Sequence, residues 1–282
     1  MDPSAFHLRI AERFAKLSTE QRRAVFEKVQ AAGMNALDQF PVLAREPSMA
    51  DRCPASHAQA RQWFLWRMAL DGSAYHIAGA LRFHGALDKL AMQASLTDVV
   101  QRHEALRTVF DADEAGHVHQ RVLPEAAFTW IDLDLRGQAG AWLGLDGDAA
   151  GELPPQVQDA ANRMASQPFD LQRGPLLRVG LVRYAADAHL LVVVMHHIVA
   201  DDASMDIMVD EFVKLYRARG QGVPADLPPV PVQCADHSVW QRHWLESGEA
   251  VRQLAWWRGA LGDHHPVLQL PADHARSAAV AQ

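Results

Sequence analysis

The residues best suited to chemistry lie together in the run Met195-His196-His197-Ile198-Val199-Ala200-Asp201-Asp202. An apolar stretch, Leu190 to Met195, leads straight into two histidines, and two acids follow after a short gap. Side chains alternate along a strand, so His196 and His197 are expected on opposite sides. One then enters the core, and the other faces a cleft at the strand's carboxyl end, where open α/β sheets commonly place ligands. Asp201 lies across a turn from His197, within reach of the turn's backbone or a nearby arginine. Asp202 or Ser204 is placed to cap the helix that follows.

Several chemistries compete for this pattern. A metal site favours two ligands on one helical face with a third nearby, which adjacent histidines at a strand end fit poorly. A serine hydrolase needs a nucleophile elbow, and no GxSxG occurs in the chain. A lone histidine acting on a nucleophile supplied by a second substrate remains, which is acyl transfer without a covalent enzyme intermediate. Two histidines satisfied by core hydrogen bonds are the structural alternative. The doubled histidine followed by an aspartate makes that reading the weaker one.

The surrounding pattern predicts an α/β scaffold able to hold such a strand end. Ala58 to Leu70 reads as a helix rich in large residues, Ile77 to Phe83 as an alternating strand, and Leu87 to His103 as a long amphipathic helix. Leu106 to Phe110 and His117 to Val122 pair as a hairpin, and Phe128 to Leu133 is a further strand. Gly137 to Pro155 is a soft loop or irregular helix. Leu176 to Arg183 and Leu190 to His196 are strands, the second so apolar that both its faces should be buried. Ala203 to Arg219 follows as a helix, and two Trp-rich helical stretches come after the connector Pro224 to Pro231. Trp63, Phe64 and Trp240 read as core, whereas His7, His117, His119, His264 and His265 read as surface residues. The first residues form an amphipathic helical hairpin, with Ser18 capping its second helix and Gly33 stopping it. That hairpin is either an extension packed on its own domain or a docking element for an upstream protein.

Composition bounds the rest. The chain has 282 residues, 49% of them hydrophobic, with a net charge of −7, so it can bury a core without staples. Cys53 and Cys234 form no zinc or CxxC pattern, which fits a reducing compartment. The acidic balance argues against nucleic acid. The longest apolar run is far shorter than the ~20 residues of a membrane span, and the N-terminus lacks a signal-peptide pattern. A cytoplasmic location is expected, with no membrane or nucleic-acid partner.

His196-His197-x-x-x-Asp201 resembles the HHxxxDG signature of non-ribosomal peptide synthetase condensation domains, and other blocks agree in the family's order. Ser56-His-Ala-Gln-Ala-Arg61-Gln-Trp63-Phe-Leu65 is similar to the opening SxAQxRxWxL block. Arg102-His-Glu-Ala-Leu-Arg107-Thr-Val-Phe110 matches RHExLRTxF at every specified position. Phe169 to Arg178 resembles the segment before the histidine strand. Cys234-Ala-Asp236-His-Ser-Val-Trp240 matches YxDxxVW except at Cys234.

The resemblance implies an α/β fold of the chloramphenicol acetyltransferase-like type. It is a two-layer sandwich forming one lobe of a two-lobed, V-shaped domain with the active site in the tunnel between lobes. Residues 1–48 would be a helical extension and linker, and residues 49–282 the N-terminal lobe. Amide formation would join an acyl or peptidyl thioester on a donor carrier domain to an aminoacyl amine on an acceptor carrier domain. The phosphopantetheine arms belong to those carriers, so no cofactor is expected in this chain. His197 matches the tunnel-facing catalytic histidine, and His196 is expected to be structural. Asp201 is assigned to motif geometry through a buried pair with Arg61, Arg102 or Arg107, with Arg107 favoured for a buried role. Residues 1–33 would be the contact for an upstream synthetase subunit.

The match departs from the family in two places. Asp202 stands where the family has glycine, a residue that permits close backbone approach or φ > 0. Aspartate there adds volume and negative charge beside the reactive centre and works against a neutral imidazole. It also leaves open a catalytically silent platform that recruits a tailoring enzyme or carrier protein. The family's later blocks have no counterpart, and Leu270 to Arg276 resembles its lobe-to-lobe connection. The C-terminal lobe is therefore expected to be absent, and the isolated chain to turn over little or nothing. A trimeric acetyltransferase-like enzyme and an epimerisation relative complete the alternatives.

Overall fold

Ser18 ends one helix and begins the next. Its hydroxyl accepts from the Gln21 N–H at 3.3 Å, while Gln21 Oε1 accepts from the Ser18 N–H at 3.0 Å. This capping box separates α1 (Pro3–Ala15) from α2 (Thr19–Ala31). The computed structural model describes residues 3–34, 40–137, 152–264 and 271, with side-chain surroundings described from residue 9 onward. Most of the Gly137–Pro155 and Leu270–Arg276 segments, and the His7 and His265 side chains, lie outside the described residues.

After α2 the chain forms β1 (Arg52–Pro54), α3 (His57–Met68), β2 (His76–His84) and α4 (Lys89–Arg102). A 3-10 turn at Glu104–Arg107 leads into the hairpin of β3 (Thr108–Ala112) and β4 (Val118–Val122), followed by β5 (Thr129–Asp134). Then come α5 (Pro155–Ser166), β6 (Leu177–Arg183), β7 (Ala188–His196) and α6 (Asp202–Gln221). Two sheets result: a three-stranded one in the order β1-β4-β3 and a four-stranded one in the order β2-β7-β6-β5. Among the described residues, only β5 and β6 pair in parallel, and the other pairings are antiparallel.

Every residue of β7 is buried, as its unbroken apolar run predicts. Its alternating side chains feed two separate cores. Leu190, Val192 and Val194 join Trp63, Trp66, Phe110, Val157 and Met164 on one face. Leu191, Val193 and Met195 join Met92, Leu96 and Val99 of α4 and Met208 and Phe212 of α6 on the other. α5 can lie close to β6 because Gly180 has no side chain; a Cβ there would stand 2.1 Å from Met164 Sδ. The helical spacing of Phe64 misleads, for this residue is 62% exposed while Trp63 beside it is buried.

The last helices are α7 (Cys234–Trp244) and α8 (Ala250–Leu261), joined by a π-type turn in which Gly248 adopts φ 118°. The chain divides into two compact units, one of residues 45–235 and the other of residues 1–44 together with those from 236 onward. The helices α7 and α8 group with the N-terminal hairpin. Their apolar faces explain this: Phe14, Phe26 and Phe40 form a core with Trp244 packed against it, and the Trp240 indole donates to Phe40 O at 2.6 Å. No helix among the described residues is long and apolar enough to cross a membrane.

Candidate active site

β7 ends at His196, and the turn His197–Val199 follows at once. His196 is 3% exposed, and its Nδ1 accepts from the Ile198 N–H at 3.1 Å, bracing the turn from inside. Its ring meets His76 and Phe169 edge-on, with centroids 6.0 and 6.4 Å away. Burial pushes the His196 pKa down to about 4, with the like charges of His76 and His197 contributing in the same direction. His76 is lowered for the same main reason, burial, and its Nδ1 donates to Ala165 O at 2.7 Å.

His197 points the other way and is exposed. Its backbone N–H donates to Tyr75 O at 2.8 Å, continuing the β2–β7 ladder beyond the strand end. Its Nδ1 lies 2.7 Å from Ala200 O. A carbonyl oxygen only accepts, so the neutral ring carries its proton on Nδ1 and its lone pair on Nε2. The turn therefore presents an accessible imidazole in a fixed tautomer, with Nε2 as its basic nitrogen.

Among the described residues, Asp201 has no arginine within ion-pair distance. It is the N-cap of α6, where Oδ1 accepts from the Ser204 N–H at 2.8 Å and from the Ser204 hydroxyl at 2.6 Å. The Asp201 N–H donates back to Ser204 Oγ at 3.2 Å, closing a capping box. Ser204's hydroxyl and N–H hold the Asp201 carboxyl below its usual pKa. The helix's unpaired N–H groups thus claim the carboxylate expected to meet a guanidinium. The cap is Asp201, with Ser204 as its reciprocal partner and Asp202 one residue inside the helix.

The arginines have other partners. Arg102 Nε donates to Glu211 Oε1 at 3.0 Å and to Oε2 at 3.1 Å, and its guanidinium also reaches Pro228 O. His103 Nε2 donates to Glu211 Oε2 at 2.7 Å, so this buried carboxylate is held from two sides. Arg107 is largely buried, but it donates to Leu123 O and lies 4.0 Å from Glu104. Arg61 is exposed on α3. Sequence reasoning missed Glu211; an acid flanked by Met208 and Phe212 on an otherwise apolar face was the available signal. His117 is exposed, as expected, and its Nδ1 lies 3.3 Å from Asp113 Oδ2 on the surface.

Asp202 occupies the first turn of α6 and is exposed. No non-glycine residue among those described has a positive φ, so position 202 makes no demand for glycine's left-handed conformation. An acid in a first helical turn is instead favoured by the helix dipole.

The sequence blocks converge on this turn. Gln59 completes the Ser56 capping box of α3, and its Nε2 lies 3.4 Å from Ile198 O. Arg178 donates to the carbonyls of Met164, Gln167 and Pro168 at 2.9, 2.9 and 3.2 Å, with its guanidinium 4.3 Å over the Phe169 ring. Phe169 in turn meets His196. Among the described residues, no three His, Cys, Asp or Glu side chains gather as a metal ion would require.

Comparison with known proteins gives this arrangement a family. A family model described as the condensation domain matches residues 49–281. Chondramide synthase cmdD of Chondromyces crocatus is 40% identical over 229 residues, 81% of this chain and 6% of that protein. Malpinin synthetase of Mortierella alpina is 34% identical over 244 residues, 86% of this chain and 3% of that protein. In the solved complex of the X-domain and OxyB from teicoplanin biosynthesis, the matching chain is 30% identical with a TM-score of 0.67. The match covers 84% of this chain and 48% of that one, so the chain spans about half the length of its structural neighbour and a small part of its curated relatives. The α/β fold expected from the resemblance is the one observed, and the chain belongs to the condensation domain family of the non-ribosomal peptide synthetases.

Proposed function

We propose that this chain carries the histidine-bearing part of an active site that joins a donor carrier's acyl or peptidyl thioester to an acceptor carrier's aminoacyl amine. The observation that carries the reading is His197, exposed beyond a wholly buried strand, with its Nδ1 proton held by Ala200 O. The amine nitrogen attacks the thioester carbonyl carbon; the C–N bond forms and the C–S bond breaks. His197 Nε2 takes the proton that the amine must lose and returns it to the departing sulfur. The phosphopantetheine arms are part of the two substrates, and holding both in line supplies much of the acceleration. His196 stays neutral and braces the turn, while Asp201 fixes where α6 begins.

A second reading has specific support from the likeness to the X-domain, which is solved in complex with OxyB, and from Asp202 at the motif's glycine position. On that reading the domain is a silent platform that docks a tailoring enzyme. The two separate in the longer protein containing this chain, with donor and acceptor carriers loaded and product followed by mass spectrometry. Condensation predicts an amide product that falls by about 10²–10⁴-fold in His197→Ala. Absence of product from the wild type overturns it in favour of the platform.

A further inference from the structure

The geometry points to a subsite for a branched aliphatic side chain beside the motif turn. This inference rests on the condensation reading and names the class of group on which that site acts. A cavity of about 110 Å³ lies between the end of α4 and the start of α6, walled by Ala105, Leu106, Met195, Val199, Ile207 and Met208. It adjoins the reactive turn directly. Val199 belongs to the turn that carries His197, and Met195 is two residues before His197, on the same side of the strand. Leu106, Met195 and Met208 are buried, whereas Ile207 is 53% exposed and marks the open side.

The cavity's polar contributors, His103 and Ser204, already have protein partners. The Ser204 hydroxyl donates to Asp201 Oδ1 at 2.6 Å, and His103 Nε2 donates to Glu211 Oε2 at 2.7 Å. A polar group entering here would lose its water without replacement, so the walls select an apolar one. Size narrows the class further. An apolar cavity of about 150 Å³ admits benzene, so this smaller one suits a small group such as the three or four carbons (roughly) of a valyl or leucyl side chain.

The test uses the longer protein containing this chain. Its acceptor carrier is loaded in turn with glycyl, valyl, leucyl and phenylalanyl groups against a fixed donor, and then the donor series is run against a fixed acceptor. On one arm, valyl or leucyl turnover should exceed glycyl by roughly ten-fold or more, the scale set by a few methylenes in an apolar pocket. The arm showing the preference identifies which substrate uses the subsite. Ala105→Leu fills the cavity and should bring that ratio near one. Ile207→Trp covers the open side from an exposed position and should act in the same direction without disturbing the core. No aliphatic preference, or a ratio unchanged in both variants, overturns the subsite. Failure to form product with any substrate counts against the condensation reading instead. Methyl NMR of Met195 and Met208 then decides the subsite alone: shifts with a leucyl but not a glycyl N-acetylcysteamine thioester support it, and no shift with either overturns it.

Discussion

Lowering the pH from 7.5 to 4.5 should cost the fold about 2.5 kcal/mol through His196 alone. Its ring is 3% exposed, its Nδ1 accepts from the Ile198 N–H, and its pKa is held down to about 4. In the unfolded chain a histidine returns to about 6.5. The unfolded state therefore binds more protons below neutrality. The associated stability is complete above pH 6.5 and is lost as the pH falls through the interval down to 4. The whole interval corresponds to about 3.4 kcal/mol at ~1.4 kcal/mol per unit. At pH 4.5 the unfolded imidazole is almost fully charged and the folded one only about a quarter so, which leaves the ~2.5 kcal/mol. The assay is urea unfolding at pH 7.5, 5.5 and 4.5, comparing wild type with His196→Asn. Asparagine Oδ1 can take over the acceptor role of Nδ1 but does not titrate. His76 and His243, which burial also lowers, remain in both proteins and largely cancel in the comparison. The variant should lose less stability on acidification, by about 2 kcal/mol or more. Parallel losses in the two proteins, within about 0.5 kcal/mol, would refute the assignment of His196 as a buried neutral brace.

Replacing Glu211 with Gln leaves the Arg102 guanidinium partly buried without its carboxylate, and about 3 kcal/mol of stability should disappear in urea unfolding at neutral pH. Asp201→Ala removes the α6 cap and should cost about 1 kcal/mol by the same measurement. Asp202→Gly should destabilise by about 0.5–1 kcal/mol, since it removes a first-turn acid and loosens the helix without relieving any strained φ. Trp63→Ala should cost about 3–5 kcal/mol, whereas Phe64→Ala should stay within about 0.5 kcal/mol because its ring is already in water. Comparable losses from these two neighbours would contradict the orientation of α3.

The strands were the most legible part of this molecule because burial on both faces leaves little freedom in composition. Leu190 to Met195 could be nothing but apolar once two cores had to meet across β7, one built with α4 and α6 and the other with α3, α5 and the second sheet. The hairpin and Ser18 were readable for a local reason: turn and cap chemistry acts within a few residues. The long-range pairing of helices was not readable. Grouping α7 and α8 with α1 and α2 depends on Phe14, Phe26 and Phe40 meeting Trp244 across more than 200 positions of sequence, and helical periodicity shows that a face is apolar without naming its partner. Phe64 failed for a related reason. A helix with large residues on several sides does not announce which side is buried, and on α3 that side belongs to Trp63 and Trp66.

The site divides along the same line between local and distant chemistry. Strand alternation was enough to send His196 inward and His197 outward, because that depends on nothing beyond neighbouring residues. The fate of the acids was decided by competition. Asp201 could have met an arginine, but a helix N-terminus offers several unpaired N–H groups at no cost in chain entropy, and Ser204 lies within reach of the same oxygen. Arg102 then needed another carboxylate, and the buried Glu211 supplied it together with His103. The exchange bears directly on chemistry. A carboxylate held by Ser204 marks where α6 starts, and so shapes the turn in which Ala200 O holds the Nδ1 proton of His197. Asp201 is therefore expected to influence the reaction through the position of Ala200. Its loss should lower turnover less than loss of His197 does, with part of the deficit restored by Asn, which can also cap.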